Sequence, residues 1–98
     1  MKLFRRSLRP LGSKPNEFWT DSRTYPRYIQ RRGTTYSADI SASAVVRTFG
    51  TSPNARDLRR LKAEGVDIAV YPIWDWYGSE FVVLNRHALV NVRRLETP

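Results

Sequence analysis

The sequence predicts a small α+β fold, with three short helices followed by a β-hairpin or a three-stranded sheet, and a basic N-terminal arm before them. Three observations support this prediction. The 98 residues suffice for one hydrophobic core, apolar residues recur at helical spacing in the middle of the chain, and the period changes to that of a strand after Gly65. We expect residues 1–20 to form a flexible arm and residues 21–98 a single domain.

The N-terminal third of the chain carries most of the net charge. Residues 1–32 hold nine Lys and Arg residues against two acidic ones, a net charge of +7, out of +8 for the whole chain. Pro10, Gly12 and Pro15 interrupt any long helix in this segment. An Arg-rich, acid-poor start also suits an organelle transit peptide, which is the alternative to an arm. The excess of positive charge favours a polyanionic partner.

Two short helices are predicted next. The first covers residues 25–32, with Thr24 as its N-cap and Gly33 as its stop. The second covers residues 42–49, where apolar residues stand at helical spacing before Gly50. Both are short, so they depend on packing against the rest of the domain.

The third helix is the clearest element of the sequence. It covers residues 53–64, with Ser52 as N-cap and Gly65 as C-terminal stop. One stripe of this helix is apolar and consists of Ala55, Leu58 and Leu61. Arg56 and Arg60 lie on the opposite side, so the helix combines a core face with an exposed basic face.

Strands are predicted after the third helix. Apolar residues alternate over residues 66–71, and a second strand runs over residues 80–85, with Gly78 in the loop between them. Residues 88–95 form either a third strand or a helix. Helix, short turn, helix and hairpin, in that order, are the layout of a winged helix-turn-helix, which inserts its second motif helix into the DNA major groove.

Residues 40–68 contain a Phe-Gly turn, an Ala-Arg pair, an Asp-Leu-Arg triplet and a Gly-x-x-Ile ending. In this pattern the segment resembles the compact helix-turn-helix domain encoded by many phages and prophages. Its Gly-Val-Asp-Ile ending before a hairpin is similar to the winged helix of biotin-repressor-type regulators. The matching residues are Ile40, Phe49, Gly50, Ala55, Arg56, Asp57, Leu58, Arg59, Leu61, Gly65 and Ile68. Thr51 departs from the pattern, because such motifs usually have an apolar residue in this turn.

The resemblance implies a DNA-binding protein of phage or mobile-element type, a transcriptional regulator or an accessory DNA binder. Arg56 and Arg60 would then face base edges, where arginine can form two hydrogen bonds with guanine. The candidate residues of the helix are Ser52, Asn54, Arg56, Arg59 and Arg60, and those of the arm are Lys2, Arg5, Arg6, Arg9 and Lys14. Trp76 and Tyr77 form the predicted wing tip. Double-stranded DNA is the expected partner, and a helix that reads two half-sites implies a homodimer.

Two other interpretations remain open. Arg60 follows Asp57 by three residues and precedes Glu64 by four, which also suits a solvent-exposed ladder of charges. The second is a structural or host-protein-binding module of a virion or nucleoprotein assembly. Its interface would be formed by Trp74, Trp76 and Tyr77, since Trp and Tyr often dominate protein interfaces.

Composition argues against catalysis and metal binding. The chain has no cysteine and a single histidine, His87, which removes thiolate sites and histidine clusters. The acidic residues are scattered, so we expect no enzyme activity, no cofactor and no metal. No apolar run approaches the length of about 18 residues that a membrane-spanning helix needs. We therefore expect the protein in the cytoplasm of a host cell, in association with the nucleoid if it binds DNA.

Overall fold

A mixed seven-stranded sheet dominates the protein. The computed structural model describes residues 1–12, 16–26, 32–74 and 78–95. The strands are β1 Lys2–Ser7, β2 Glu17–Thr20, β3 Thr34–Ile40, β4 Val46–Thr48, β5 Ile68–Trp74, β6 Gly78–Val83 and β7 Leu89–Leu95. Helix α1 (Ala55–Ala63) and a 3₁₀ turn, Arg86–Ala88, lie wholly within these ranges, and residues 25–26 are also helical. The strand order is β4-β5-β6-β2-β1-β3-β7, and only β4 and β5 pair in parallel.

The predicted winged helix-turn-helix is wrong. Residues 42–49 form a turn followed by β4, which pairs with β5 through Val46 opposite Ile68. The β-branched residues Val45, Val46 and Thr48 favour an extended backbone, and helical spacing over so few residues does not distinguish a helix from a strand. Most of the predicted first helix, residues 27–31, lies outside the described residues.

The predicted N-terminal arm is wrong as well, because residues 1–20 supply two central strands. β1 lies between β2 and β3 and pairs with β3 along its whole length, from Lys2 to Ser7. Leu3 and Trp19 are both fully buried. The arginines of β1 obscured its period of two in the sequence, since Leu3 is followed on the same face by Arg5 rather than by a second apolar residue.

The C-terminal strands lie close to their predicted positions. β5 and β6 form the antiparallel pair expected there, although each is displaced by two or three residues from its predicted limits. Residues 89–95 are a strand rather than a helix. Gly78 follows the loop with φ of 77° and sits against the Asp21 carboxylate, which accepts a hydrogen bond from Ser79 N at 2.9 Å. A side chain at position 78 would displace this carboxylate.

Helix α1 covers one end of the sheet. It begins at Asn54, whose side-chain oxygen accepts a hydrogen bond from Asp57 N at 2.8 Å, so Asn54 rather than Ser52 is the N-cap. Leu58 and Leu61 are buried, whereas Ala55 is exposed. The two leucines pack on the face of β5 and β6 that we call the outer face, in a cluster with Val66, Ala69, Tyr71, Val82 and Leu84.

The opposite, inner face of the sheet holds the main core. Its buried residues come from six of the strands and from the 3₁₀ turn, and they are Leu3, Trp19, Ala38, Ile68, Val70, Phe81, Val83, Ala88 and Leu89. Because strand residues alternate between faces, β5 and β6 each contribute two residues that are two positions apart, Ile68 with Val70 and Phe81 with Val83. Ser41 N donates to Ala88 O at 2.7 Å and ties the segment after β3 to the turn before β7.

Asp67 joins three parts of the chain next to the helix. Its carboxylate accepts hydrogen bonds from Val45 N at 2.9 Å and from Asn85 Nδ2 at 3.0 Å. His87 Nε2 lies 3.4 Å from the same carboxylate. The hydrogen bond from Val45 N has the largest effect and lowers the pKa of Asp67, against the opposing effect of burial.

Candidate nucleic-acid interface

Two groups of basic side chains stand on different parts of the fold. The helix cations are Arg56, Arg59, Arg60 and Lys62, all exposed on α1. The strand arginines are Arg5 and Arg6 of β1 together with Arg93 and Arg94 of β7. Sequence reasoning identified most of the first group and only the β1 half of the second.

The strand arginines meet because β3 lies between β1 and β7. Tyr36 of β3 is opposite Arg5 on one side and opposite Arg94 on the other. Ser37, the next residue of β3, is opposite Arg93. Neighbouring strands are about 4.8 Å apart, so the backbones of Arg5 and Arg94 are about 10 Å apart. Two Arg-Arg pairs from the two ends of the chain thus stand side by side.

A bulge in β7 decides which face each of its arginines occupies. Ile40 pairs with Leu89 and Asp39 with Val90, but the register shifts before Ser37. Asn91 adopts φ of 54° at this point and donates from Nδ2 to Asp39 Oδ2 at 3.1 Å. Asparagine tolerates this left-handed conformation better than most residues. The shift turns Arg94 to the inner face, beside Tyr36, and Arg93 to the outer face.

Hydrogen bonds hold the β1 arginines along the sheet. Arg5 Nη1 donates to the carbonyl oxygen of Phe18 at 2.9 Å, and Arg6 Nη1 donates to Thr35 Oγ1 at 2.8 Å. Arg93 and Arg94 are exposed. In the parts of the chain that the structure describes, Arg5, Arg93 and Arg94 form no ion pair with an acidic side chain. Their positive charge is therefore not neutralised by described carboxylates.

The helix cations are partly neutralised. Arg60 lies 3.6 Å from Asp57 Oδ1 and 3.9 Å from Glu64 Oε1, as in the charge-ladder interpretation. Glu64 also binds Arg47 Nη1 at 3.2 Å. Exposed pairs of this kind contribute little to stability, about 0–1 kcal/mol. Arg56 and Arg59 are exposed and form no ion pair with the described residues.

The two polar residues predicted beside the helix cations have structural roles. Asn54 caps α1, and Ser52 Oγ donates a long hydrogen bond of 3.5 Å to the carbonyl oxygen of Pro53. Tyr71 packs against α1, and its hydroxyl donates to Glu80 Oε1 at 2.7 Å. Burial, followed by the bond to Glu80, raises the pKa of Tyr71 to about 12. Tyr71 therefore stays protonated at neutral pH.

The remaining predicted residues are spread over the fold or are not described. Lys2 is exposed at the start of β1, opposite Asp39, and Arg9 is exposed in the loop after β1. Lys14, Trp76 and Tyr77 lie outside the described residues, and so does the side chain of Trp74. The sequence places Arg93 and Arg94 in a segment that could be a strand. It does not show that they lie beside β3, because that depends on the register between β3 and β7.

Among the described residues, no group of three or more His, Asp or Glu side chains is arranged to hold a metal ion. No helix in the described parts of the chain is long and apolar enough to cross a membrane. Comparison with protein-family models, curated proteins and solved structures finds no match to this chain. Proposals about function therefore rest on the arrangement of the side chains.

Proposed function

We propose that the protein binds nucleic acid through the phosphate backbone, with the strand arginines as the main contact. One observation carries this proposal. Arg5, Arg93 and Arg94 are brought to both sides of β3 and form no ion pair with a described acidic side chain. Guanidinium groups bind phosphate through two parallel hydrogen bonds, and phosphate contacts dominate nucleic-acid affinity.

The arrangement brings two positive charges to either side of Tyr36, and a polyanion would offset their repulsion. Arg5 and Arg94 are about 10 Å apart across β3, a distance at which like charges repel each other mainly at low salt concentration. Bound phosphates would remove the repulsion between Arg5 and Arg94 and would release condensed counterions.

The proposed contact positions nucleic acid and does not read a sequence. Backbone contacts fix orientation, whereas specificity comes from hydrogen bonds to base edges. Helix α1 packs its buried face on β5 and β6 beside strand β4, and it belongs to no helix-turn-helix motif. A nucleic-acid partner agrees with a location in the cytoplasm of a host cell, with the nucleoid if the ligand is DNA.

The salt dependence of binding tests the proposal. We expect log affinity for duplex and single-stranded DNA to fall linearly with log salt concentration, with a slope of about −0.9 or −0.7 per phosphate contact. The double variant Arg93→Gln, Arg94→Gln removes a phosphate contact on each face of β7, and should reduce the slope by at least about 0.7 for a ligand that binds one face. Its unfolding transition should stay close to that of the unmodified protein, because both side chains are exposed. Binding that does not respond to salt would refute the proposal.

The protein-binding alternative stays a prediction. Its proposed interface consists of Trp74, the last residue of β5, with Trp76 and Tyr77, and the structure describes none of the three side chains. No contact among the described residues favours this alternative over nucleic-acid binding.

A further inference from the structure

The inner face of the sheet places an aromatic ring between two arginines. Tyr36 lies opposite Arg5 of β1 and Arg94 of β7, so the three side chains form one row across three strands. We propose that this row binds a single-stranded segment of nucleic acid. A base would stack on Tyr36, and the flanking phosphates would bind Arg5 and Arg94. The inference rests on the proposed function and adds that the bound nucleic acid is single-stranded.

Tyr36 has the support and the access that stacking needs. One part of the residue packs against the inner core, and the rest is accessible, since the side chain is only partly buried. Its hydroxyl forms no hydrogen bond with the described part of the chain. A buried tyrosine usually gives its hydroxyl a partner, so the unbonded hydroxyl of Tyr36 agrees with an accessible position beside the core.

Two buried donor atoms on the same face lack a hydrogen-bond acceptor among the described residues. The register of Phe4 opposite Thr20 places Arg5 next to Trp19. Arg5 Nε and Trp19 Nε1 are both buried without an acceptor. The nearby carboxylates are already engaged, because Glu17 accepts from Gly12 N and Asp21 accepts from Ser79 N. Trp19 is fully buried and does not itself contact the nucleic acid. The row of Arg5, Tyr36 and Arg94 beside it suits a ligand that is rich in hydrogen-bond acceptors.

A base can stack on the ring of Tyr36 only if the nucleic acid is single-stranded. In a duplex the bases are stacked inside and do not reach a partly buried side chain. A single strand can splay its bases, and it binds where aromatic rings alternate with cations. The spacing of about 10 Å between Arg5 and Arg94 leaves room for a base between two bound phosphates.

The test compares Tyr36→Leu with Tyr36→Phe in the full chain. The probes are a single-stranded DNA of about 16 nucleotides and a hairpin duplex, measured by fluorescence anisotropy. We expect the unmodified protein to prefer the single strand. Tyr36→Leu should lower the affinity for it about 5- to 100-fold, and should change neither the affinity for the duplex nor the salt slope. Tyr36→Phe keeps the ring and should restore the affinity that Tyr36→Leu loses.

Phe18→Leu is the matched control, because Phe18 is an aromatic residue on the outer face that is 45% exposed. It should leave single-strand affinity unchanged. A second measurement does not depend on the variants: the fluorescence of 2-aminopurine in the single strand should fall on binding, as stacking quenches it. If Tyr36→Leu is poorly folded, this signal in the unmodified protein still decides the question.

The outcomes separate the two proposals. Equal affinity for single strand and duplex, with no loss in Tyr36→Leu and no quenching, overturns the stacking inference but leaves phosphate binding intact. Absence of salt-dependent binding to either DNA overturns both. Binding of poly-glutamate as tight as that of the single strand overturns the inference in favour of an acidic protein partner.

Discussion

The helix cations and the strand arginines differ in what brings their charges together. On α1, Asp57 and Glu64 partly neutralise Arg60, whereas Arg56 and Arg59 form no ion pair with the described residues. On β1 and β7, Arg5 and Arg94 flank Tyr36 and form no ion pair with a described carboxylate. The first arrangement follows from local sequence and the second from topology. A basic helix face is therefore a weaker indicator of a binding surface than cations that the fold brings together from distant segments.

The largest expected effect comes from deleting residues 1–8. This removes β1, which pairs with both β2 and β3 and contributes the buried Leu3. We expect the truncated chain to lose its cooperative unfolding transition in urea and most of its strand signal in far-ultraviolet circular dichroism. A flexible arm could be removed without loss of folding, so a truncated protein that unfolds cooperatively would contradict the position of β1.

The next largest effect is expected at Gly33, which lies beside the end of β1. Gly33 adopts φ of 109°, and a Cβ there would collide with the backbone carbonyl of Ser7 at the end of β1. Gly33→Ala should lower the free energy of unfolding by about 2–4 kcal/mol, because it combines backbone strain with a clash that does not relax easily.

Gly50→Ala is the control for Gly33→Ala. A Cβ at Gly50 meets no atom within 4 Å, and the residue lies near the start of α1 rather than beside the strand arginines. Urea denaturation should show little change in this variant. Equal destabilisation by the two substitutions would mean that the close packing of β1 against Gly33 is absent.

A smaller effect is expected at Asp67, which ties β4 to β5 beside the helix. Its pKa is lowered from the ordinary value of 3.8, so its ionised form stabilises the fold above about pH 4. This contribution is lost as the pH falls through the folded-state pKa. Asp67→Asn should cost about 1–2 kcal/mol at pH 7 and make unfolding less dependent on pH below 4.

The measurement for Asp67 is a series of urea titrations between pH 2 and pH 7. The strand arginines serve as the comparison, since Arg93→Gln, Arg94→Gln should leave the acid dependence of unfolding unchanged. If Asp67→Asn shows the same acid dependence as the unmodified protein, another carboxylate carries it.

Local signals predicted some elements of this fold and missed others. The place of α1 between Pro53 and Gly65 could be recognised because start and stop signals depend on single residues, although its N-cap is Asn54 and not Ser52. The alternation that predicts β5 and β6 is equally local. By contrast, β1 carries Arg5 and Arg6 where an apolar pattern would continue, and β3 carries few large apolar residues. Both strands are fixed by pairing with each other, which a single sequence does not display.

The candidate site was only half predictable for the same reason. Arg5 and Arg6 were expected to contact nucleic acid, but on a flexible arm rather than on a central strand. Arg93 and Arg94 join them through the register of β3 with β7, and the bulge at Asn91 determines which of them reaches the inner face. A shift of one residue in register exchanges the two faces of a strand. No local pattern in the sequence signals that shift.

The most direct test of the account compares two double variants that lower the net charge by the same amount. Arg93→Gln, Arg94→Gln alters the strand arginines, and Arg56→Gln, Arg59→Gln alters the helix cations. With a single-stranded DNA of about 16 nucleotides, the strand variant should reduce the salt slope by at least about 0.7, because Arg94 lies on the inner face with Tyr36. The helix variant should leave the slope close to that of the unmodified protein. Equal reductions would show that only net charge matters, and a larger reduction in the helix variant would place the binding surface on α1.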